Sequence, residues 1–307
     1  VYGIPQGHPY KTWRWGGADP TAYNNQMAFQ QVNLAPAADH YQGDGVVIAI
    51  LDTGMDLQHP AFAGDLVAGW DFVANDADPQ DEGPGLGWGH GTHVAGIANK
   101  IAPNSKLMPV RVLARNGRGD TIMLALAILW TTSQHADVIN MSLGTDFPSL
   151  LLREATAYAL AEDVVVVAAA GNNGKSTVQY PAGFNGVLGV TAVDAANKKA
   201  DFANYGTGWV DLAAPGTGIT STMIGPGGSG YASWNGTSMA TAFVSGAAAL
   251  ARQKFPASTS DTIAQLLQTH AADLNAANPA YVNQLGKLLD IGAAVAPAPD
   301  AASTSLP

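Results

Sequence analysis

An α/β fold in one domain, with a mostly parallel central sheet and helices on both its faces, is what this 307-residue sequence predicts. Three observations lead there. Short apolar runs rich in β-branched residues recur along the chain, helical patterns lie between them, and no linker interrupts residues 30–294. Runs that are apolar without alternation suit strands covered on both faces, and strands alternating with helices build βαβ units.

The first run is VVIAIL at 46–51, and others lie at 107–112, 138–141, 164–169 and 187–193. The clearest helical patterns are 121–133 and 149–161. Ligands of such sheets gather outside the carboxyl ends of the strands, so Asp52 and the loops at Ser142 and Asn172 are expected on one rim. The ends read differently. Residues 1–25 hold Pro, Gly and two Trp without a clear period, as an arm on the surface would, and lead into a domain over 26–294. The Ala/Pro/Ser-rich tail, 295–307, has the composition of a disordered segment or the start of a linker. A chain that opens on Val1 is expected to be a processed mature form or a trimmed one.

Composition narrows the class of partner. Only 12% of residues are charged and 35 are glycine, which suits closely packed helices and strands. A net charge of −10 argues against nucleic acid or an anionic membrane. No apolar run reaches the roughly 18 residues that span a bilayer. The absence of cysteine removes disulfides, thiolate metal sites and thiol redox chemistry, and is compatible with export.

Three glycine- and threonine-rich frames carry the chemistry: LDTGMD at 51–56, GHGTHVAG at 89–96 and NGTSMATAFVSG at 235–246. They place an Asp, a His and a Ser in that chain order. Acyl transfer needs a nucleophilic hydroxyl, an imidazole base and a carboxylate that orients the imidazole. Read alone, Ser238 ahead of a helix of small residues is either such a nucleophile or a helix cap. His90 and His93 lie three apart on one helix face, but no third imidazole or glutamate completes a zinc pattern. Asp56 competes with Asp52 within its motif, and its place four residues beyond the strand reads as solvated.

Taken together, the three frames resemble those of the subtilisin-like serine proteases, with features of the thermitase branch, from about residue 28 to residue 294. The resemblance implies a subtilisin-like fold and a secreted, broad-specificity serine endopeptidase that acts as a monomer on protein or peptide substrates, without nucleic acid or membrane. It assigns Ser238 as nucleophile, His90 as base, Asp52 as its orienting carboxylate and Asn172, in AAAGNNG at 168–174, as oxyanion donor beside the Ser238 N–H. A histidine in the GHGTH frame separates the chain from the related sedolisins, which use glutamate. His93 and His59 become structural, and His8, His40, His135 and His270 are expected at the surface.

The substrate groove implied is backbone-driven, the peptide adding as a strand between Gly117, Arg118 and Gly119 on one side and Ser142, Leu143 and Gly144 on the other. Ala169, Ala170 and Gly171 would wall the primary specificity pocket with Gln179 near its base, before a Tyr180–Pro181 peptide expected to be cis. Asn173 and Gln179 are neutral, which argues against a processor of basic sites. Gln179 takes up volume between apolar walls, so residues unbranched at Cβ such as Leu or Met should fit better than Trp. With no charge to pair with them, Lys or Arg should gain little. Two departures stand out: Ala242 replaces the proline usual four residues after the nucleophile, and the short link 96–102 lacks an insert that holds calcium in many subtilisins. The acidic stretch at 70–83 instead resembles a calcium loop of the thermitase branch, with Asp71, Asp76, Asp78 and Gln80 as structural Ca²⁺ ligands and Ala74 in place of one carboxylate. The competing reading is a solvated acidic loop. None of the chemistry calls for a catalytic cofactor.

Overall fold

The strand of the first apolar run shows how the core is divided. In β2 (Val47–Asp52), Ile48 and Ile50 pack into one hydrophobic cluster while Ala49 and Leu51 pack into another, on the opposite side of the sheet. Successive residues of a strand point to opposite faces, so an uninterrupted apolar run fills two cores at once. The computed structural model describes residues 13–295.

In chain order the elements begin with β1 (Trp13–Gly17), the short helices α1 (Thr21–Asn24), α2 (Ala28–Gln31) and α3 (Ala35–Ala38), and then β2. A two-residue strand β3 (Trp70–Asp71) precedes α4 (His90–Ile101), β4 (Lys106–Arg111), α5 (Thr121–Ser133) and β5 (Val138–Met141). Next come α6 (Leu150–Ala161), β6 (Val165–Ala169), β7 (Leu188–Val193), β8 (Leu212–Pro215), β9 (Ile219–Gly225) and β10 (Gly228–Trp234). The chain continues with α7 (Thr237–Lys254), α8 (Ser260–His270), β11 (Lys287–Leu288) and α9 (Ile291–Val295).

The main sheet has eight strands in the order β11-β8-β7-β6-β5-β2-β4-β3, and every pairing in it is parallel. Helices α4, α7 and α8 cover one face with the Ile48/Ile50 cluster, and α5 and α6 cover the other with Ala49 and Leu51. The α/β architecture expected from the sequence is the one observed.

Capping follows the sequence too. Asp120 accepts hydrogen bonds from the N–H groups of Ile122 and Met123 to open α5, and Ser149 accepts one from Leu152 to open α6. Helix α7 is buried from Thr237 to Arg252. Its small residues permit that: a Cβ at Gly246 would stand 2.7 Å from the Cβ of Ile101 on α4.

The amino-terminal stretch does more than lie on the surface. Trp13–Gly17 pairs antiparallel with β10, completing a three-stranded sheet β1-β10-β9. Tyr23 is buried, stacks on Tyr231 at 5.2 Å and donates its hydroxyl to the Gly96 carbonyl at 2.7 Å. At the other end, Val295, the first residue assigned to the tail, is buried in α9. The rest of the tail and His8 lie outside the described residues. Among those described, no helix is long and apolar enough to cross a membrane.

Candidate active site

Asp52 ends β2, and the parallel register carries the chain from β5 and β6 to the same rim, where Ser142 and Asn172 follow. The amino termini of α4 and α7 meet them there with His90 and Ser238. All three triad candidates are buried: Asp52 at 0%, His90 at 2% and Ser238 at 3% exposure. Oδ1 of Asp52 lies 2.7 Å from Nδ1 of His90 and also accepts from the Thr53 N–H at 2.7 Å. A carboxylate can only accept, so Nδ1 carries the proton and Nε2 of neutral His90 holds the lone pair. The His90 ring stands edge-on to Trp234 at 5.3 Å, which fixes its plane.

The nucleophile candidate sits at the open end of α7. The Thr237 N–H is taken by Oδ1 of Asn172 at 2.8 Å, and the Met239 N–H by the Gly236 carbonyl. Between them the Ser238 N–H has no partner among the described residues. The Ser238 hydroxyl donates to the Ser142 carbonyl at 3.2 Å, and the Ser142 hydroxyl donates back to the Ser238 carbonyl at 2.9 Å. Asn172 is oriented by Thr237, whose N–H and hydroxyl both donate to its Oδ1. With the oxygen held, the Nδ2 end is the one left to donate.

Sequence reasoning missed the groups that hold this frame. Asn204, fully buried, accepts from the Asn173 and Lys175 N–H groups and donates to the Ala170 carbonyl, bracing the loop that carries Asn172. Asn140 links Ser245 on α7 to Ser142 beneath the nucleophile. Asp81 accepts from the Gly89 N–H at 3.0 Å, the Thr92 N–H at 3.2 Å and the Thr92 hydroxyl at 2.8 Å. The residue that precedes α4, Gly89, offers no side chain, so Asp81 caps that helix from eight positions upstream. Burial pushes the Asp81 carboxyl up to about 7, against the downward pull of its three donors. Only the threonines of the GTH and GTS frames hinted at this network, because the other partners meet through tertiary folding.

Two histidines are structural, as expected. His93 is fully buried with Nε2 between the carbonyls of Ile219 and Ala232, so Nε2 bears its proton, and burial depresses its pKa to about 3. His59 bridges the Gly230 carbonyl and the Ala61 N–H, and burial lowers its pKa as well. His40, His135 and His270 are exposed. Asp56 is a correction: it is buried, not solvated, and accepts from the Ser229 hydroxyl while its N–H is held by Thr92.

The groove segments reach the same rim. Gly117, at φ +74°, packs so closely on Gly87 that a Cβ there would stand 2.7 Å from the Gly117 nitrogen and 3.1 Å from Cγ2 of Thr53. Arg118 is exposed and Gly119 half-buried. Ser142, Leu143 and Gly144 run from the nucleophile along the other side, while Ala169, Ala170 and Gly171 lie opposite, with the Gly171 N–H on the Thr237 hydroxyl. Gln179 is buried between these two walls, and the Tyr180–Pro181 peptide is cis, as expected.

The four residues suggested for calcium do not form a cage. Oδ1 of Asp71 accepts from the N–H groups of Val73 and Ala74, and its Oδ2 from Nη1 of Arg111 at 2.8 Å. Oδ1 of Asp76 is taken by the Asp78 N–H, and Oε1 of Gln80 by the Leu57 N–H. Among the described residues no three acidic or histidine side chains converge as metal ligands. Arg111 is buried and also pairs with Glu82 at 2.7 Å, so Asp71 and Glu82 already share a cation supplied by the chain itself. The donor set does not fit a calcium ion.

Comparison with known proteins decides the family: residues 43–287 match the subtilase family. This chain belongs to the subtilases. It has the fold and family of the subtilisin-like serine endopeptidases. It is 41% identical to thermitase of Thermoactinomyces vulgaris over 242 residues, covering 76% of this subtilase and 84% of thermitase. A thermophilic serine proteinase of Bacillus sp. strain AK1 is 46% identical over 216 residues, 67% of this chain but only 52% of that longer protein. Among solved structures, a protease from Pseudoalteromonas arctica PAMC 21717 superposes with a TM-score of 0.81 at 30% identity, covering 91% of this chain and 98% of that one.

Proposed function

We propose that this subtilase is a secreted serine endopeptidase of broad reach that hydrolyses protein and peptide substrates as a monomer, without nucleic acid, membrane or catalytic cofactor. The observation that carries the reading is the buried 2.7 Å contact between Asp52 and Nδ1 of His90, set beside a serine at a helix amino terminus. The substrate strand pairs with Ser142, Leu143 and Gly144 on one side and with Gly117, Arg118 and Gly119 on the other, engaging the Ser142 carbonyl. The Ser238 hydroxyl then turns from that carbonyl to Nε2 of His90, which takes its proton as Oγ attacks the scissile carbon. Asp52 keeps the proton on Nδ1 and stabilises the imidazolium that forms.

The tetrahedral oxygen receives hydrogen bonds from Nδ2 of Asn172 and the Ser238 N–H, both fixed before substrate arrives, so little reorganisation accompanies the charge. His90 returns its proton to the leaving amine, and the acyl-enzyme is hydrolysed by the same steps run with water. Family membership supports export, and the lack of cysteine is compatible with it. The test is casein turnover with and without a serine-reactive sulfonyl fluoride, followed by mapping of the label. Inhibition with the label on Ser238 supports the mechanism; full turnover after complete labelling of Ser238 refutes it.

A further inference from the structure

We propose that Asp146, acting through Gln179, makes the primary specificity pocket select a basic side chain, Lys or Arg, before the scissile bond. The proposal rests on the endopeptidase reading and names its substrate class. Its ground is the backbone register. Thr145 and Tyr180 exchange both N–H···O hydrogen bonds, at 2.9 and 2.8 Å, in an antiparallel bridge. The residue after one and the residue before the other are then neighbours across the pair, which sets Asp146 beside Gln179 although 33 positions separate them in sequence.

Gln179 lies between the two walls of the pocket. A Cβ at Gly144 would stand 3.2 Å from its Oε1, and one at Gly171 would stand 2.9 Å from its Cγ. Its Nε2 donates to Oδ1 of Asp146. That contact settles the amide's orientation chemically, because a carboxylate accepts and cannot donate. Nε2 must face Asp146, and Oε1 is turned toward the Gly144 wall. The floor therefore offers an acceptor with a full negative charge behind it, not the neutral and indifferent surface that Asn173 and Gln179 imply from sequence. An extended lysine carries its ammonium about 6 Å beyond its Cα, toward the acceptor that Oε1 presents on the floor.

Leu143, Ala169 and Ala170 are buried apolar walls suited to the methylenes of such a chain. A leucine would fill the walls but leave the acceptor unmatched. Asp146 itself is exposed, so its attraction is screened by solvent and salt and the selection is graded, not absolute.

The test is a set of peptide anilides differing only in the residue before the scissile bond: Lys, Arg, Leu, Phe and Glu. The wild-type enzyme should show the highest kcat/KM for Lys and Arg, and raising salt from low to molar concentration should narrow that lead. Asp146→Asn should lower the Lys-to-Leu ratio about tenfold and remove its salt dependence. Asp146→Lys should turn the ranking toward Glu, which a merely structural role for Asp146 would not do. A wild-type preference for Leu or Phe, left at the same ratio by Asp146→Asn, would overturn the proposal while the endopeptidase reading stands. Hydrolysis of no peptide and no casein would overturn that reading and this proposal with it.

Discussion

Removing the Asp81 carboxylate should loosen the helix that carries the catalytic base, and the loss should depend on pH. In Asp81→Ala the N–H groups of Gly89 and Thr92 lose their acceptor at a buried helix amino terminus. Loss of a helix cap typically costs about 0.5–2 kcal/mol, and a buried donor left unpaired about 1–3 kcal/mol, so a total near 2–4 kcal/mol is expected. The variant Asp81→Asn keeps an acceptor and removes the charge. The Asp81 pKa is raised to about 7 in the fold from an ordinary 3.8, so the folded state binds this proton more tightly than the unfolded chain. The stability it contributes is fully present below about 4 and is lost as pH rises through 7. Between pH 5 and pH 7 that slope is worth up to about 3 kcal/mol, at 1.36 kcal/mol per pH unit.

The assay is guanidinium unfolding at pH 5 and pH 8 in a Ser238→Ala background, which prevents self-digestion. The advantage of wild type over Asp81→Asn should shrink from pH 5 to pH 8. A difference that stays constant across that range would refute the raised pKa, and an Asp81→Ala protein as stable as its parent would refute the capping argument.

Other expectations follow from the same geometry. Ser238→Ala should abolish casein hydrolysis with the circular dichroism spectrum unchanged, leaving up to roughly 10³-fold acceleration over water from the oxyanion site and positioning; wild-type turnover would refute the nucleophile. Thr237→Val removes the hydroxyl that steadies Asn172 and should lower kcat more than it raises KM, to be read from steady-state kinetics on one peptide anilide. Arg111→Met leaves Asp71 as an unpaired buried charge and should cost about 3–5 kcal/mol of stability. Because the loop has its own cation, the wild-type unfolding midpoint should be the same in calcium and in chelator, and a rise with calcium would overturn that account.

What could be read from sequence, and what could not, divides by how far apart the partners lie. The strands ending at Asp52 and Ala169 were visible because a doubly covered strand has no polar alternation, and the four catalytic candidates because each sits in its own short frame. The β9–β10 hairpin escaped notice, since its strands mix Thr, Ser and Gly with few large apolar residues. Asp56 read as solvated because the burying groups, Thr92 and Ser229, are 36 and 173 positions away. Asp81, Asn204 and Asp146 share that reason, for each acts on a residue that only the folded backbone brings near. The acidic loop resembled a calcium site because the sequence displays Asp71 and conceals that Arg111, 40 positions later, already holds it.

The burial of α7 from Thr237 to Arg252 bears on how this protein fails under stress. Local opening draws on elements with few buried contacts, and a helix threaded through the core has no such route. The amide protons hydrogen-bonded within its turns should exchange with solvent only when the whole domain opens, while those of the Gly117–Gly119 turn exchange far sooner. The nucleophile thus rides on the segment last to yield. Heating should then produce no long-lived population with a frayed serine and an otherwise intact sheet, and loss of activity and loss of fold should share one time course.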